Sequence, residues 1–126
     1  MKLSDFELEV MQIMWTDGPM IATEVHQAIA EKRKVAYSTV KTIIDRLEEK
    51  GAVRRNRTYG RTILYESVIE KEDLAKPMVH SFIDKLFMGN VRPLFSHVLK
   101  EEEVTLDDVA YLESILANKR LELEDE

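Results

Sequence analysis

The chain has 126 residues, of which 44% are hydrophobic and 33% are charged, and its net charge is −6. This composition is typical of a globular protein with one domain, or with a small domain and an oligomerisation arm. Because the sequence contains no cysteine, it excludes disulfides, thiolate metal sites and thiol nucleophiles.

The N-terminal segment predicts an amphipathic helix rather than a targeting signal. Ser4 and Glu7 have the S-x-x-E spacing of a capping box, and Gly18-Pro19 stops the helical pattern. The expected buried stripe is Phe6, Val10, Ile13 and Met14. Acidic residues interrupt the sequence where a signal peptide needs an apolar core, and no segment approaches about 20 apolar residues. We therefore expect a cytoplasmic protein with no membrane partner.

A second helix is predicted over residues 21–30, and a short basic link over residues 31–36 follows it. Its expected inward side is Ile21, Val25, Ala28 and Ile29. The link carries three consecutive cations, Lys32, Arg33 and Lys34.

The third helix is predicted over residues 38–50, and Gly51 stands where a left-handed residue commonly ends a helix. The helical period places four hydrophobic residues on its inward side, namely Val40, Ile43, Ile44 and Leu47. The same period places four polar residues on its outward side, namely Ser38, Lys41, Thr42 and Arg46. These outward residue types suit hydrogen bonding to phosphates and base edges.

An arginine-rich β-hairpin is predicted over residues 52–68. Arg54, Arg55 and Arg57 precede an expected turn at Thr58-Tyr59-Gly60, and Arg61 is expected to open the returning strand. Tyr59 admits two interpretations: its hydroxyl donates to a phosphate, or the side chain is simply tolerated at an exposed turn. Three helices followed by a basic hairpin predict a winged helix-turn-helix. In this fold the third helix is the recognition helix, called the reading helix below, and the hairpin is the wing.

The distribution of charge favours nucleic acid as the partner of this segment, although the chain as a whole is acidic. Residues 31–61 contain ten Lys or Arg and four acids, a net charge of +6, so the remaining residues carry −12. Such asymmetry directs nucleic acid to one face and repels it from the rest of the surface. A solvated charged surface with no partner is the alternative.

The second part of the chain predicts a helical dimerisation domain. Helices are expected over residues 71–87, 91–100 and 105–121, and Met88-Gly89-Asn90 separates the first two. Their apolar residues cover more area than one helical arm buries alone, which favours a homodimer over packing back onto the first domain. We predict domains at residues 1–69 and 70–126. The predicted dimer contacts are Leu74, Met78, Phe82, Leu86, Val109, Leu112 and Leu116.

Five motifs resemble the penicillinase-repressor (BlaI/MecI/CopY) family. They are LSDFELEVMQIMW, ATEVHQAI, YSTVKTIIDRLEEKGAV, the GR-x-x-x-Y of the wing and SFIDKLF. The resemblance covers almost the whole chain in order, from residue 3 to residue 116. The resemblance implies a winged-helix domain, a helical dimerisation domain, and a repressor that binds palindromic double-stranded operator DNA as a homodimer.

The resemblance also implies roles for individual residues. The base-reading residues it implies are Ser38, Thr39, Lys41, Thr42 and Arg46. It also implies backbone contacts from Arg55, Arg57 and Arg61 of the wing. The other residues expected to contact the DNA backbone come from their residue types and places in the sequence; they are Lys32, Arg33, Lys34, Tyr37 and Tyr59.

Two departures from the family limit the transfer of an inducing signal. The cysteine cluster of the copper-responsive branch is absent, so thiolate metal sensing is excluded here. Ser96-His97 stand where the β-lactam-responsive branch is cleaved at an Asn-Phe bond. We therefore expect release from DNA to depend on an inducer or protease whose identity the sequence does not give.

The sequence predicts no enzyme and no cofactor. It has no G-x-S-x-G, no P-loop and no paired histidines at metal-ligand spacing. Two rival functions remain open: a winged-helix module that binds an acidic protein, and an activator with a small-molecule pocket at the domain junction.

Overall fold

The structure, a computed structural model, describes all residues from 1 to 126. The elements in chain order are α1 (Asp5–Asp17), β1 (Met20–Ile21), α2 (Ala22–Ala30), α3 (Tyr37–Lys50), β2 (Val53–Tyr59), β3 (Thr62–Ser67), α4 (Lys71–Phe87), α5 (Val91–Glu101) and α6 (Leu106–Glu124). They confirm the mainly helical winged-helix architecture. The chain divides into two compact units, Met1–Val79 and His80–Glu126, so α4 contributes to both. The predicted domain boundary between residues 69 and 70 stays a prediction.

Local signals in the sequence account for the ends of α1. The Ser4 hydroxyl accepts from the Glu7 N–H at 3.2 Å, and the Glu7 carboxylate accepts from the Ser4 N–H at 2.8 Å. This reciprocal capping box satisfies two N–H groups that a helix start otherwise leaves unpaired. Gly18 follows the helix with φ of 81°, a conformation that favours glycine.

A short strand, β1, was missed by the sequence analysis, which expected α2 to follow α1 directly. Met20 pairs with Tyr65 and Ile21 pairs with Leu64, so β1 adds an antiparallel strand to the free edge of β3. The sheet order is therefore β1-β3-β2. Two residues are too few to show the alternation that identifies a strand from sequence; β1 exists because a distant strand offers it hydrogen bonds.

The wing turn lies one position later than predicted. Thr58 and Tyr59 belong to β2, Tyr59 pairs with Thr62, and the loop consists of Gly60 and Arg61. Gly60 has φ of 59°, which suits the first central position of a two-residue hairpin turn. Arg61 therefore projects from the turn itself instead of opening β3.

The core of the first unit lies between α1, α2, α3 and the sheet. The predicted inward side of α3 is confirmed, since Val40, Ile43, Ile44 and Leu47 are all buried. They join the buried residues Val10, Met11, Met14, Val25, Ile29, Val53 and Tyr65. Trp15 at the end of α1 packs against this core, and its indole N–H donates to the Ile69 carbonyl at 2.9 Å.

The second unit lacks a core within a single chain. No side chain from residue 75 to residue 126 is buried. Met88 ends α4 with a positive φ of 54°, and Asn90 caps α5 by accepting from the Arg92 N–H at 3.1 Å. Thr105 and Asp108 form a second capping box at the start of α6. The predicted helices and their breaks are thus confirmed, while their apolar faces remain open in one chain.

Candidate nucleic-acid interface

The polar face of α3 is directed outward because the opposite face is buried and the helix end is fixed. Gly51 adopts the left-handed conformation, and the Ala52 N–H donates to the Leu47 carbonyl at 2.9 Å. Together with the Gly51 N–H bond to Glu48 at 3.0 Å, this is the Schellman arrangement that closes a helix. The chain then enters β2 directly, so the wing begins where the reading helix stops.

Four of the five predicted base-reading residues are exposed, namely Ser38, Thr39, Thr42 and Arg46. Arg46 pairs with no carboxylate, so its guanidinium remains available to a ligand. The Thr42 hydroxyl donates to the Ser38 carbonyl at 3.0 Å, which leaves its oxygen lone pairs free to accept.

Lys41 has a different environment from the other four. Its ammonium donates to Asp45 at 2.5 Å and lies 5.8 Å from the centre of the Tyr65 ring. The hydrogen bond that Lys41 donates to Asp45 outweighs partial burial and raises the pKa of Lys41. Asp45 pairs with Lys41, four residues before it, and not with the adjacent Arg46. Its charge is therefore partly neutralised before any partner arrives.

A β-bulge decides which way the wing arginines point. Arg55 is opposite Tyr65, whereas Arg57 is opposite Leu64, so Asn56 is the extra residue. Because paired residues share a face of the sheet, the bulge places Arg57 on the face opposite to Arg55. Without the bulge, the two arginines would lie on the same face.

The two arginines accordingly have different partners. The Arg55 guanidinium donates to the Glu48 carboxylate at 2.9 and 3.4 Å, which ties β2 to the last turns of α3. Arg57 has no carboxylate partner and reaches only the Tyr59 hydroxyl at 3.4 Å. Arg54, which was not assigned a DNA contact, pairs with Glu66 at 2.6 Å. Arg55 thus supports the wing, and Arg57 is the free cation on its strand.

The cations of the link between α2 and α3 also fall into a paired and an unpaired group. Arg33 pairs with Glu9 at 2.6 Å, and its guanidinium carbon lies 4.7 Å above the centre of the Phe6 ring. Lys32 and Lys34 are exposed and have no carboxylate partner. Arg33 therefore anchors the link to α1, while its two neighbours keep free charges.

Lys50 is also bound within the chain, through a residue that the sequence identified only as part of a cap. Its ammonium donates to the Glu7 carboxylate at 2.7 Å and to the Lys2 carbonyl at 3.0 Å. Glu7 is only 3% exposed. Burial alone would raise the pKa of Glu7, but the hydrogen bonds from Lys50 and Ser4 prevail and lower it. No local pattern indicates this pair, because its members are 43 residues apart.

The free cations of the basic segment form a smaller set than the sequence suggested. Of its ten Lys and Arg residues, five pair with carboxylates, namely Arg33, Lys41, Lys50, Arg54 and Arg55. The other five have no such partner, namely Lys32, Lys34, Arg46, Arg57 and Arg61. Free cations occur on the link, on α3 and on the wing, which is the distribution that several phosphate contacts require.

Two tyrosines and two cations lie around one cleft of this surface. The cleft, about 130 Å³ in volume, is bounded by the start of α2, the first turns of α3 and the wing. Tyr37, Lys41, Arg61 and Tyr65 all contribute to its lining. No group of three or more histidine, aspartate or glutamate side chains is placed to hold a metal ion.

Comparison with known proteins assigns the family. The family model described as "Penicillinase repressor" matches residues 3–118. The chain belongs to the penicillinase repressor family. The members of this family are transcriptional repressors, so the protein is a regulator and not an enzyme. None of its helices has the length and apolar character that a membrane span requires.

Individual members of the penicillinase repressor family match over nearly their whole length. The chain is 28% identical over 118 residues to the methicillin resistance regulatory protein MecI of Mammaliicoccus sciuri, covering 94% of this chain and 95% of that protein. It is 26% identical over 115 residues to the penicillinase repressor of Bacillus licheniformis, covering 91% and 89%.

A solved structure matches a little over half of the chain. It is the solution structure of monomeric Bacillus licheniformis BlaI in complex with the blaP half-operator, with 30% sequence identity and a TM-score of 0.50. The match covers 58% of this chain and 88% of that one. The resemblance described from the sequence motifs is thereby confirmed.

Proposed function

We propose that this protein is a transcriptional repressor that binds a palindromic operator in double-stranded DNA as a homodimer, in the cytoplasm. The observation that carries the proposal is the set of five free cations on the link, α3 and the wing, placed beside the exposed polar face of α3. Membership in the penicillinase repressor family supports it, as does the half-operator complex of the similar BlaI chain.

Base reading is assigned to the outward face of α3. Arg46 is the strongest candidate because its guanidinium is free, and a bidentate contact to guanine is the commonest specific contact in the major groove. Ser38, Thr39 and Thr42 supply small hydroxyl groups near the start of the helix. Lys41 contacts a base only if its ammonium leaves Asp45 and binds DNA instead.

Contacts to the DNA backbone are assigned to the free cations outside α3. Lys32 and Lys34 on the link, together with Arg57 and Arg61 on the wing, carry charges that no carboxylate compensates. Tyr37 and Tyr59 are exposed and add hydroxyl groups to the same surface. Arg33 and Arg55 contribute less to backbone binding because they already form ion pairs with Glu9 and Glu48.

The homodimer is proposed from the open apolar faces of the second unit. In this unit Phe82 is 47% exposed, and Leu86 and Leu116 are each 64% exposed; Met78, which precedes the unit on α4, is 44% exposed. A chain that leaves this much apolar surface in water gains stability by pairing it with a second copy. Leu74 differs from the other predicted contacts, since only 4% of its surface is exposed in one chain. The domain division at residues 1–69 and 70–126 is proposed from the chain order, since the sheet ends at Ser67 and α4 begins at Lys71.

Selection of bound duplexes from a random pool tests the proposal. We expect the recovered sequences to share an inverted repeat, and the labelled duplex to be displaced by itself and not by a scrambled duplex at the same salt concentration. Equal displacement by the two duplexes would contradict sequence-specific binding, and a module that binds an acidic protein would then be favoured. Release from the operator is proposed to depend on an inducer or protease that is unidentified.

A further inference from the structure

The hydroxyl group of Tyr65 is buried without a hydrogen-bond partner. Tyr65 lies in β3 and is 1% exposed, and its hydroxyl oxygen is closed to solvent and makes no well-formed hydrogen bond. Its neighbour is the Lys41 ammonium, whose pKa is raised mainly by Asp45 and in part by Tyr65. A buried polar group in this state destabilises the free protein, because it has lost water and gained no replacement. Such groups are rare in native proteins and call for a physical reason.

Tyr65 lines the cleft described above, and the other walls of this cleft supply positive charge and donors. Lys41 comes from α3 and Arg61 from the wing turn, and Thr23 adds a hydroxyl. The volume of 130 Å³ exceeds that of a few waters, which occupy about 30 Å³ each in the liquid. It is smaller than the roughly 300 Å³ at which pockets for drug-sized ligands begin.

The start of α2 forms one wall of the cleft. This helix of nine residues begins at Ala22, and its cap residue, Ile21, provides no side-chain hydrogen bond to the first turn. The Glu24 carboxylate accepts a hydrogen bond from the Ile21 N–H at 3.0 Å. It therefore does not bond to the N–H groups of Ala22 and Thr23. Free amides at a helix start attract anions.

Two carboxylates lie near the cleft, Glu24 at the start of α2 and Asp45 on α3, and only Asp45 has a cationic partner. Asp45 lies four residues after Lys41 on α3, and the two side chains form an ion pair. The Lys41 ammonium lies 5.8 Å from the centre of the Tyr65 ring. Because the hydroxyl is closed to solvent, a ligand can reach it only when neighbouring side chains move, and an arriving anion would compete with Asp45 for the charge of Lys41.

We propose that this cleft binds one phosphate group, with the Tyr65 hydroxyl donating a hydrogen bond to a phosphate oxygen. Lys41 and Arg61 supply the charge, and the first amides of α2 supply the remaining donors. A backbone phosphate of the operator is one source, and free inorganic phosphate is the other. The operator source rests on the function proposed above; the inorganic source does not.

Tyr65→Phe separates this role from a structural one. The variant removes only the hydroxyl, so the free protein keeps its melting temperature or gains a few degrees, since an unpaired buried group is lost. The same variant should bind the selected operator about tenfold more weakly, because a hydrogen bond to a charged group is lost. Tyr111→Phe is the matched control: Tyr111 is 66% exposed on α6, and its replacement should change neither quantity.

Two further measurements identify the source of the phosphate. In one experiment, a single phosphate of the operator backbone is replaced by an uncharged methylphosphonate, and the replacement is moved along each half-site. At one position per half-site, the parent and Tyr65→Phe should bind the modified operator with equal affinity. In a separate titration with inorganic phosphate, the Ala22 and Thr23 amide resonances should shift in the parent and not in Tyr65→Phe if the cleft takes the free ion.

The results that overturn the proposal are distinct from a failure of operator binding. If no linkage equalises the two proteins and inorganic phosphate shifts neither amide, the cleft does not bind phosphate. A fall in melting temperature together with affinity would make the hydroxyl a structural group instead. If the parent fails to distinguish operator from scrambled DNA, the proposed function is wrong. The titration with inorganic phosphate alone then decides whether the cleft binds phosphate.

Discussion

Replacing Arg57 by Ala should lower the salt dependence of operator binding by an amount that the structure sets. Each phosphate contact contributes about 0.9 to the slope of log affinity against log salt. Four free cations outside α3 in each chain, or eight per dimer, correspond to a slope of about −7. The Arg57→Ala dimer loses two of these contacts, so its slope should be about −5. Between about 50 and 200 mM salt, the parent should lose about 10⁴ in affinity and the variant about 10³.

Fluorescence anisotropy of a labelled operator duplex, repeated at several salt concentrations, measures this slope. The double variant Arg54→Ala/Glu66→Ala is the matched control, because it removes an ion pair from the same wing without changing the net charge. We expect the control to keep the parental slope. An unchanged slope for Arg57→Ala, or an equal decrease for the control, would refute the division of the arginines into free and paired sets.

Three other variants test separate parts of the structure. Arg46→Ala should weaken operator binding by about 1–3 kcal/mol without lowering the melting temperature, and a variant that binds scrambled and operator DNA with the parental ratio would remove α3 from base reading. Phe82→Asp should dissociate the dimer in sedimentation, because an unpaired charge would be buried, whereas Lys85→Asp on the same helix should remain dimeric; equal behaviour of the two would place the interface elsewhere. Glu7→Gln should destabilise the first unit by about 1–2 kcal/mol near neutral pH, a discounted value because Lys50 is partly exposed. Since the pKa of Glu7 is lowered from 4.5 in the folded state, the parent should lose this stability as the pH falls below that value. The difference in melting temperature should therefore shrink in acid, and a constant difference would contradict the ion pair.

Features that depend on neighbouring residues were predictable from the sequence. The capping boxes at Ser4 and Thr105 and the glycine stop at Gly51 each need only a few positions to be recognised. The buried face of α3 follows from the helical period. The pairing of Asp45 with Lys41 was within reach for the same reason, because residues four apart are neighbours on a helix.

Features that depend on distant residues were not predictable. The strand β1 forms only because β3 offers it an edge, and the bulge at Asn56 appears only when two strands are set in register. The pairs Arg33–Glu9 and Lys50–Glu7 join residues 24 and 43 positions apart. The sequence therefore overestimates the free charge of the interface. It also gives no sign that the hydroxyl of Tyr65 is left without a partner.

A series of operators with altered spacing tests the central claim most directly. A two-fold dimer requires half-sites on the same side of the duplex, with centres about 34–36 Å apart or a whole multiple of that. Inserting about five base pairs between the half-sites should reduce affinity sharply, and inserting about ten should recover part of it, because about 10 base pairs complete one turn. Footprinting should show both half-sites protected in the parental duplex. Equal affinity at every spacing would contradict a repressor that reads its operator as one rigid pair.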